Sequence, residues 1–212
     1  MRLDWRVVPL DALAEMIADR QGSGSPLVVA VDGHSSSGKS TLGQRLAAVL
    51  PEAGLLHTDD LAWHHGVFAW DGLLRDSVLP VVRAGAELDY RPPQWRARRR
   101  TGSITLPGRL DYLVVEGVGA SQPSLRDCYD LVIWVETEEP TRSARDLVRL
   151  AAGEMSAEVF ERWMAEENAY TTLERPWEHA DLLVYGGESI AYDSATEVVI
   201  GQLLGPGPAT AS

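Results

Sequence analysis

The apolar positions of the chain fall into two alternating patterns. Short apolar runs, most of them containing valine, are typical of strands that are buried on both faces. The runs predicted as strands are LVVAVD, GLLHT, DYLVVEG, DLVIWVE and ADLLVYG. Stretches with apolar residues at helical spacing lie between or after them. The predicted helices cover residues 10–20, 39–50, 71–84, 140–152, 156–173 and 195–204.

Strands that alternate with helices in this way predict a parallel sheet with helices on both of its faces. The expected fold class is therefore α/β, in three layers. The glycine- and serine-rich segment QGSGSP follows the first helix and is predicted to be a linker. The chain is thus divided into an N-terminal helix and linker at residues 1–25, a main domain at 26–204 and a disordered tail at 205–212.

Charge and composition narrow the classes of protein. The chain has 212 residues and a formal net charge of −12, which argues against the basic face that nucleic-acid binding requires. No apolar run approaches the roughly 20 residues that cross a bilayer, and acidic residues interrupt the N-terminus, which argues against a signal peptide. Cys128 is the only cysteine, so no intrachain disulfide can form. We expect a cytoplasmic protein without nucleic-acid or membrane partners. The formation of a homo-oligomer stays open.

Lys39 is the only lysine among the 19 basic residues, and it lies in a glycine-rich motif. Gly33, Gly38, Lys39 and Ser40 satisfy the pattern G-x-x-x-x-G-K-[ST], between a predicted strand and a predicted helix. Backbone amides of such a loop, together with the helix N-terminus, form a site for a polyphosphate. The alternative is a tight glycine turn without a ligand, but such a turn has no need of the lysine.

Each polar group of the motif has an expected role. Lys39 would reach the phosphates as a compact charge on a flexible stem, which a planar guanidinium cannot reproduce. The hydroxyl of Ser40 would bind Mg²⁺. The residues assigned to the nucleotide phosphates are Gly33, Ser35, Ser36, Ser37, Gly38, Lys39, Ser40 and Thr41.

Two adjacent carboxylates follow the predicted strand GLLHT. Ligands of open parallel sheets bind at the carboxyl ends of the strands, so we expect Asp59 and Asp60 to face the phosphate site. Asp59 is predicted to accept the proton of an attacking hydroxyl, and either carboxylate could help to hold Mg²⁺. The alternative is that the pair only caps the following helix, a role that suits Asp60.

These motifs, in this order, resemble the uridine kinase branch of the P-loop kinases, which also includes phosphoribulokinase and bacterial pantothenate kinase. The resemblance covers residues 27–173, and the motifs that carry it are GHSSSGKST, TDDLAW and LVVEGVGA. It implies a three-layer P-loop NTPase fold with a lid helix, and a kinase that uses ATP and Mg²⁺. It also implies that Asp59 is the general base and that Glu116 helps to organise the Mg²⁺ shell. No adenine-binding motif is visible, so GTP stays open as the donor.

The resemblance further implies that arginines of the lid helix close over the transferred phosphoryl group. Arg142, Arg145 and Arg149 are spaced i, i+3, i+7 along one face of the helix predicted at 140–152. Positive charge at this place would stabilise a transition state that spreads negative charge over the phosphoryl oxygens. The alternative is a solvated helix face on which the arginines pair with neighbouring acidic residues.

An insertion rich in aromatic residues precedes Glu116 and is the candidate site for the acceptor. Trp63, Tyr90 and Trp95 lie in this insertion, and their rings could pack on a planar base or a sugar. By the resemblance, Asp71 could bind ribose hydroxyls; otherwise it caps a helix. The tyrosine–histidine pair that binds the base in uridine kinases is not intact, because Trp95 takes the place of the histidine. The alternative is a small apolar core under a long loop.

Other polar residues of this region have less specific signals. His64 and His65 have no third ligand at metal spacing, so we expect no zinc site. The segment RPPQWRARRRTG carries arginines at positions 91, 96, 98, 99 and 100. They could bind an anionic acceptor, but a solvated loop that balances the acidic surface is the favoured interpretation. Glu166 and Glu167, on the helix predicted at 156–173, are further candidates for binding acceptor hydroxyls.

The function predicted from these features is a kinase that transfers the γ-phosphate of ATP to a hydroxyl of a small metabolite, with a nucleoside as the first candidate. The nearest alternative is a non-nucleoside acceptor, such as a vitamin precursor, a sugar or an antibiotic. The alternative from another class is an NTP-binding ATPase or switch that acts on a partner protein. Asp59 together with an aromatic pocket favours the kinase.

Overall fold

The computed structural model describes residues 3–20 and 26–203. The strands are β1 Leu3–Pro9, β2 Leu27–Gly33, β3 Ala53–His57, β4 Leu88–Tyr90, β5 Ile104–Leu106, β6 Tyr112–Glu116, β7 Leu131–Glu136, β8 Leu182–Tyr185 and β9 Glu197–Leu203. The α-helices are α1 Leu10–Ala18, α2 Lys39–Val49, α3 Thr58–Ala62, α4 Asp71–Leu73, α5 Leu79–Arg83, α6 Pro93–Ala97, α7 Glu139–Ala151 and α8 Ala157–Glu174. A π-helical turn, Leu74–Val78, joins α4 to α5.

The sheet that carries the fold is mostly parallel. Within the described residues it has seven strands, in the order β1-β9-β8-β7-β2-β6-β3. The strands from β8 to β3 pair in parallel, as the apolar runs predict. The α/β fold class is therefore confirmed. The sequence did not predict the antiparallel extension at one edge, where β9 pairs with β8 and β1 pairs with β9.

The prediction of a helix at residues 195–204 is wrong, because residues 197–203 form strand β9. Val198, Val199 and Ile200 are buried in the sheet, and β-branched side chains favour such a pleated surface. Gly201 of β9 lies opposite Trp5 of β1, and a Cβ atom on this glycine would come within 2.7 Å of the indole ring. Pairing with β1, which periodicity could not indicate, decides the structure of the segment.

The N-terminal segment belongs to the same core as the rest of the described chain. Leu13 and Ile17 of α1 are fully buried and belong to one apolar cluster with Val29 of β2 and Leu46 of α2. The sequence predicts only a helix and a linker here, whereas the structure adds strand β1 to the main sheet. The predicted linker, except for Pro26, and the predicted tail at 205–212 lie outside the described residues.

The remaining predicted helices are confirmed, and α2, α7 and α8 begin and end close to the predicted bounds. The helix predicted at 71–84 is a helical stretch that the π-helical turn interrupts. Leu74 and Val78 of that turn are fully buried, so the interruption keeps apolar side chains in the core. Hydrophobic burial therefore holds the stretch in place despite its irregular backbone.

Apolar clusters cover both faces of the sheet. The cluster on one face contains α1 and α2, and the cluster on the other contains the helices of residues 71–83 with α6 and the β4–β5 hairpin. Successive residues of β6 point to opposite faces, because Val114 joins the first cluster and Val115 the second. No helix in the described ranges is long and apolar enough to cross a membrane.

If α1 is part of the single core, truncating its buried side chains should destabilise the whole domain. We expect Ile17→Ala to lower the free energy of unfolding by about 2–5 kcal/mol, the usual loss for a buried aliphatic side chain. Met16 is 44% exposed, and Met16→Ala should change the free energy of unfolding by less than about 0.5 kcal/mol. Urea unfolding followed by circular dichroism measures both. Equal stability of Ile17→Ala and the wild type would contradict the placement of α1.

Candidate active site

A cleft of about 1370 Å³ opens at the carboxyl ends of the parallel strands. Its walls come from the loop after β2, helices α2 and α3, the end of β6, the segment after β8, and helices α7 and α8. Ligands of parallel α/β sheets bind at this edge, because loops from several strands converge there. Lys39, Ser40, Asp59 and Glu116 all line this cleft.

Backbone geometry explains the two glycines of the phosphate loop. Gly38 has φ +97°, in the region that favours glycine, and helix α2 begins at the next residue. A Cβ atom on Gly33 would lie 2.6 Å from the carbonyl oxygen of Val135, which no other residue tolerates. The first-turn amides of α2 have no intrahelical acceptor, so they are available to an anion. The loop therefore fits a polyphosphate.

The position of Lys39 is fixed within this loop. Its side chain is buried, and its Nζ donates a hydrogen bond of 2.5 Å to the carbonyl oxygen of His34. Burial lowers the pKa of Lys39, while the negative charges of Glu167, Asp32 and Glu116 raise it. The hydrogen bond to His34 and the surrounding carboxylates hold the ammonium beside the loop, where it would assist the loop amides in binding phosphates.

Asp32 holds the start of the phosphate loop, a role that no sequence pattern indicated. Its carboxylate is fully buried and accepts hydrogen bonds from the amides of Gly33 at 2.7 Å, Gly119 at 2.9 Å and Ser121 at 2.9 Å. The Ser121 hydroxyl donates a fourth, at 2.6 Å. Asp32 thereby joins the end of β2 to the loop that follows β6.

Ser40 and Glu116 provide adjacent oxygen ligands. The Ser40 hydroxyl donates to Glu116 Oε2 at 3.1 Å, and the Nδ1 atom of His57 contacts Glu116 Oε1. This hydrogen bond to Glu116 raises the pKa of His57. Hydroxyl and carboxylate oxygens are the ligands that Mg²⁺ prefers, usually together with substrate phosphates and water. The pair therefore fits a magnesium ion, although the described residues contain no group of three or more His, Cys, Asp or Glu side chains that could hold a metal.

Asp59 lies in the first turn of α3, directly after β3, where the sequence predicts the general base. Its side chain is accessible from the cleft and lines it together with Glu116. The cleft walls exclude part of the bulk water, and this loss of solvation, with the negative charge of Glu116, raises the pKa of Asp59. The positive charges of Lys39 and Arg149 act in the opposite direction.

The three arginines predicted on the lid helix have different environments. Arg142 Nε donates to the carbonyl oxygen of Thr137 at 3.1 Å, and the residue lies outside the cleft. Arg145 lines the cleft, but its guanidinium is bound to the backbone of Ser36 and Gly186. Arg149 lines the cleft and its positive charge lowers the pKa of Asp59, while its Nε donates to Glu154 Oε2 at 2.9 Å.

Of the predicted acceptor residues, only Trp63 lies in the cleft with Asp59. Asp71 lies outside it, with a carboxylate oxygen 3.8 Å from Arg75 Nη1. Tyr90 packs against the second apolar cluster, to which Trp95 belongs. The structure thus keeps Asp71, Tyr90 and Trp95 out of the cleft lining. The rings of Tyr90 and Trp95 pack with the β4–β5 hairpin and α6 in an apolar core.

Residues that the sequence did not assign form the opposite wall. Met155, Val159, Arg162 and Trp163, from the α7–α8 region, line the cleft, as does Tyr192 after β8. Val159, Arg162 and Trp163 are spaced i, i+3, i+4, so one face of α8 carries them. This spacing was visible in the sequence, but an amphipathic helix shows the same pattern when it packs on a core.

Two arginines of the cluster at 91–100 make structural contacts. Arg91 Nη2 donates to the carbonyl oxygen of Arg100 at 2.6 Å. The Arg100 guanidinium lies 3.5 Å from the centroid of the Trp95 ring, and its Nη2 donates to Asp60 Oδ1 at 2.8 Å. Trp95 Nε1 in turn donates to the carbonyl oxygen of Asp60 at 2.8 Å. These contacts hold the turn that carries Asp59, while Arg96, Arg98 and Arg99 are exposed.

Comparison with solved structures finds chains of similar fold. One, from Bacillus stearothermophilus, is described as a possible uridine kinase; it is 21% identical, with a TM-score of 0.56, over 82% of this chain and 95% of that chain. Another, from Silicibacter sp. TM1040, is described as a candidate fructose transport system kinase; it is 22% identical, with a TM-score of 0.55, over 82% and 95%. This likeness shows that the chain has the fold of these P-loop kinases. No family model and no curated protein matches the sequence.

The contacts of Arg100 predict a measurable contribution to stability. We expect Arg100→Met to lower the free energy of unfolding by about 1 kcal/mol, since it removes a partly exposed ion pair with Asp60 and two cation–π contacts, with the rings of Trp63 and Trp95. Arg98→Met, at an exposed position of the same segment, is the matched control and should be neutral. Urea titration compares the two variants, and equal stabilities would show that the Arg100 contacts contribute nothing.

Proposed function

We propose that this protein is an ATP- and Mg²⁺-dependent kinase that phosphorylates a hydroxyl group of a small molecule. The observation that carries the proposal is that the phosphate loop with Lys39, the Ser40–Glu116 pair and Asp59 line one cleft. This combination supports phosphoryl transfer to an acceptor more than hydrolysis, because a carboxylate in the cleft can accept a proton from a bound hydroxyl. ATP is the donor suggested by the resemblance, and GTP is the alternative.

Each residue has a role in this proposal. Lys39 and the loop amides would hold the donor phosphates, while Ser40 and Glu116 would hold Mg²⁺. Asp59 would accept the hydroxyl proton as the acceptor oxygen bonds to phosphorus and the bond to the departing nucleoside diphosphate breaks. Arg149 would stabilise negative charge on the phosphoryl oxygens. ATP supplies the phosphoryl group, and Mg²⁺ neutralises part of its charge.

Aromatic side chains of the cleft are the candidates for contact with the acceptor. Trp63 and Trp163 both line the cleft, so the base of a nucleoside or the ring of a sugar could pack on an indole. A nucleoside was the first candidate from the sequence. Asp71, Tyr90 and Trp95 do not line the cleft, so Trp63 is the sequence-predicted acceptor side chain that supports a nucleoside there, and a non-nucleoside hydroxyl compound is the alternative.

An acceptor screen tests the proposal. We would follow ATP consumption with Mg²⁺ against nucleosides, sugars, pantothenate and amino alcohols. The proposal expects slow basal hydrolysis and strong stimulation by members of one chemical class. If every acceptor leaves hydrolysis unchanged while the nucleotide binds, an ATPase or switch that acts on a partner protein replaces the kinase.

Substitution of the proposed base separates binding from chemistry. Asp59→Asn keeps the size of the side chain but cannot accept a proton, so phosphoryl transfer should fall by about 10²-fold or more, while binding of a non-hydrolysable ATP analogue stays within a few-fold. Asp71→Asn, at a carboxylate that lies outside the cleft beside Arg75, is the matched control and should transfer normally. Lys39→Ala should impair both binding and transfer. Full transfer by Asp59→Asn would refute the assignment of the base.

The pH dependence of transfer follows from the environment of Asp59. Only the ionised carboxylate accepts a proton, and loss of solvation with the nearby Glu116 raises the pKa of Asp59. Activity should therefore decline on acidification at a higher pH than for an ordinary aspartate. Arg149 lowers this pKa, so Arg149→Met should move the acidic limb of kcat/KM to higher pH. Arg142→Met, outside the cleft, should leave the limb in place; an identical limb in Arg149→Met would contradict the assignment.

A further inference from the structure

The variable positions of the phosphate loop bind two helices, α7 and α8. The motif requires no particular side chain at positions 34–37, yet this chain has HSSS there. Side chains of His34, Ser35 and Ser36 all form hydrogen bonds with carboxylates of α7 or α8. The Ser35 amide, one of the loop amides that the proposed function assigns to the phosphates, is also bound to Glu167, whereas the Lys39 ammonium takes no part in these contacts.

Glu167 of α8 makes the most extensive of these contacts. Its Oε1 atom contacts His34 Nδ1 at 2.9 Å and accepts from the Ser35 amide at 3.0 Å. Its Oε2 atom accepts from Trp163 Nε1 at 3.1 Å. The residue is fully buried, and a buried carboxylate is held in place only when hydrogen-bond donors satisfy both of its oxygens. Glu167 therefore has one defined position against the loop, and it is not available to acceptor hydroxyls.

Helix α7 forms the second contact with the same stretch of the loop. Asp146 is buried, and its Oδ1 atom accepts from Ser36 Oγ at 2.5 Å and from Ser35 Oγ at 3.4 Å. Arg145 Nη1 donates to the carbonyl oxygen of Ser36 at 3.0 Å. Residues 34–36 are thus held from α7 and α8 at once, which limits the conformations that the loop can adopt.

The fixed stretch also determines where Lys39 lies. The same His34 whose ring contacts Glu167 accepts the Lys39 ammonium on its backbone carbonyl, at 2.5 Å. A change at Glu167 would release the His34 ring and the Ser35 amide together. The carbonyl of His34 would then lose its orientation, and with it the loop would lose a preformed arrangement for the phosphates.

We propose that Glu167 is a positioning residue, through which helix α8 sets the conformation of the phosphate loop and thereby the affinity for nucleotide. The statement about affinity rests on the proposed function, whereas the statement about the loop conformation does not. The competing interpretation is that Glu167 only attaches α8 to the domain. In that case its loss would lower stability without changing the binding of nucleotide by the folded protein.

The test compares neighbouring glutamates of the same helix. Glu167→Met removes both carboxylate acceptors at similar side-chain length, whereas Glu166→Met removes the same charge from an exposed position. Calorimetric titration with the Mg²⁺ complex of AMP-PNP, well below the melting temperature, should show binding weakened about tenfold or more in Glu167→Met, since hydrogen bonds to a charged group are lost. Glu166→Met should stay within about twofold of the wild type. Equal affinity of Glu167→Met and the wild type would overturn the proposal.

A double variant tests whether His34 and Glu167 act as one unit. His34→Phe keeps a ring beside Trp134 but has no Nδ1 atom. If the two side chains position the loop together, the double variant His34→Phe, Glu167→Met should bind Mg²⁺–AMP-PNP within about twofold of Glu167→Met alone. Losses that multiply would show that the two residues act independently, contrary to the proposal.

Hydrogen exchange of the nucleotide-free protein provides a measurement that does not depend on the proposed function. The Ser35 amide should exchange faster in Glu167→Met, which has no acceptor at this position, than in the wild type, and Glu166→Met should match the wild type. Failure of the wild type to bind Mg²⁺–AMP-PNP would contradict the proposed function, yet exchange would still decide the positioning role. Unchanged exchange at residues 34–36 would overturn that role, whatever the nucleotide binding shows.

Discussion

The arrangement of the cleft depends on one buried carboxylate at the end of β2. Asp32 accepts hydrogen bonds from Gly33, Gly119 and Ser121, so it joins the first residue of the phosphate loop to the loop that follows β6. Burial raises the pKa of Asp32, and the hydrogen bonds lower it. A buried carboxylate without these donors would be strongly unfavourable, so the loops must adopt the positions that supply them. The relative position of Lys39 and Glu116 follows from this constraint.

Negative charge predominates around the phosphate loop, because several carboxylates surround one lysine. Lys39 is the only lysine of the chain, and the carboxylates that raise its pKa include Asp32, Asp59, Glu116 and Glu167. One ammonium among four carboxylates leaves the floor of the cleft negative, which by itself would repel a polyphosphate. Additional positive charge is needed, and this supports the proposed roles of Mg²⁺ and of arginines on α7. Two of these carboxylates, Asp32 and Glu167, also accept hydrogen bonds from loop residues.

The sequence was most informative where a local pattern carries the chemistry. The glycine-rich motif predicted the loop between β2 and α2, and the position of Asp59 after GLLHT predicted its place in the cleft. It was least informative about the insertion, where the aromatic residues suggested an acceptor pocket. Trp95 is buried against Arg100 instead, because an aromatic ring looks the same in sequence whether it faces a ligand or a core.

Local sequence thus determined the five parallel strands, most of the helices and the residues of the phosphate loop, since periodicity and backbone requirements act over a few neighbouring positions. Tertiary structure alone decided that residues 197–203 form a strand, because their partner is β1, at the other end of the chain. It also decided that Glu167 contacts His34, which lies 133 residues away. Such pairs are fixed by how the elements pack in three dimensions, and no spacing along the chain encodes that packing.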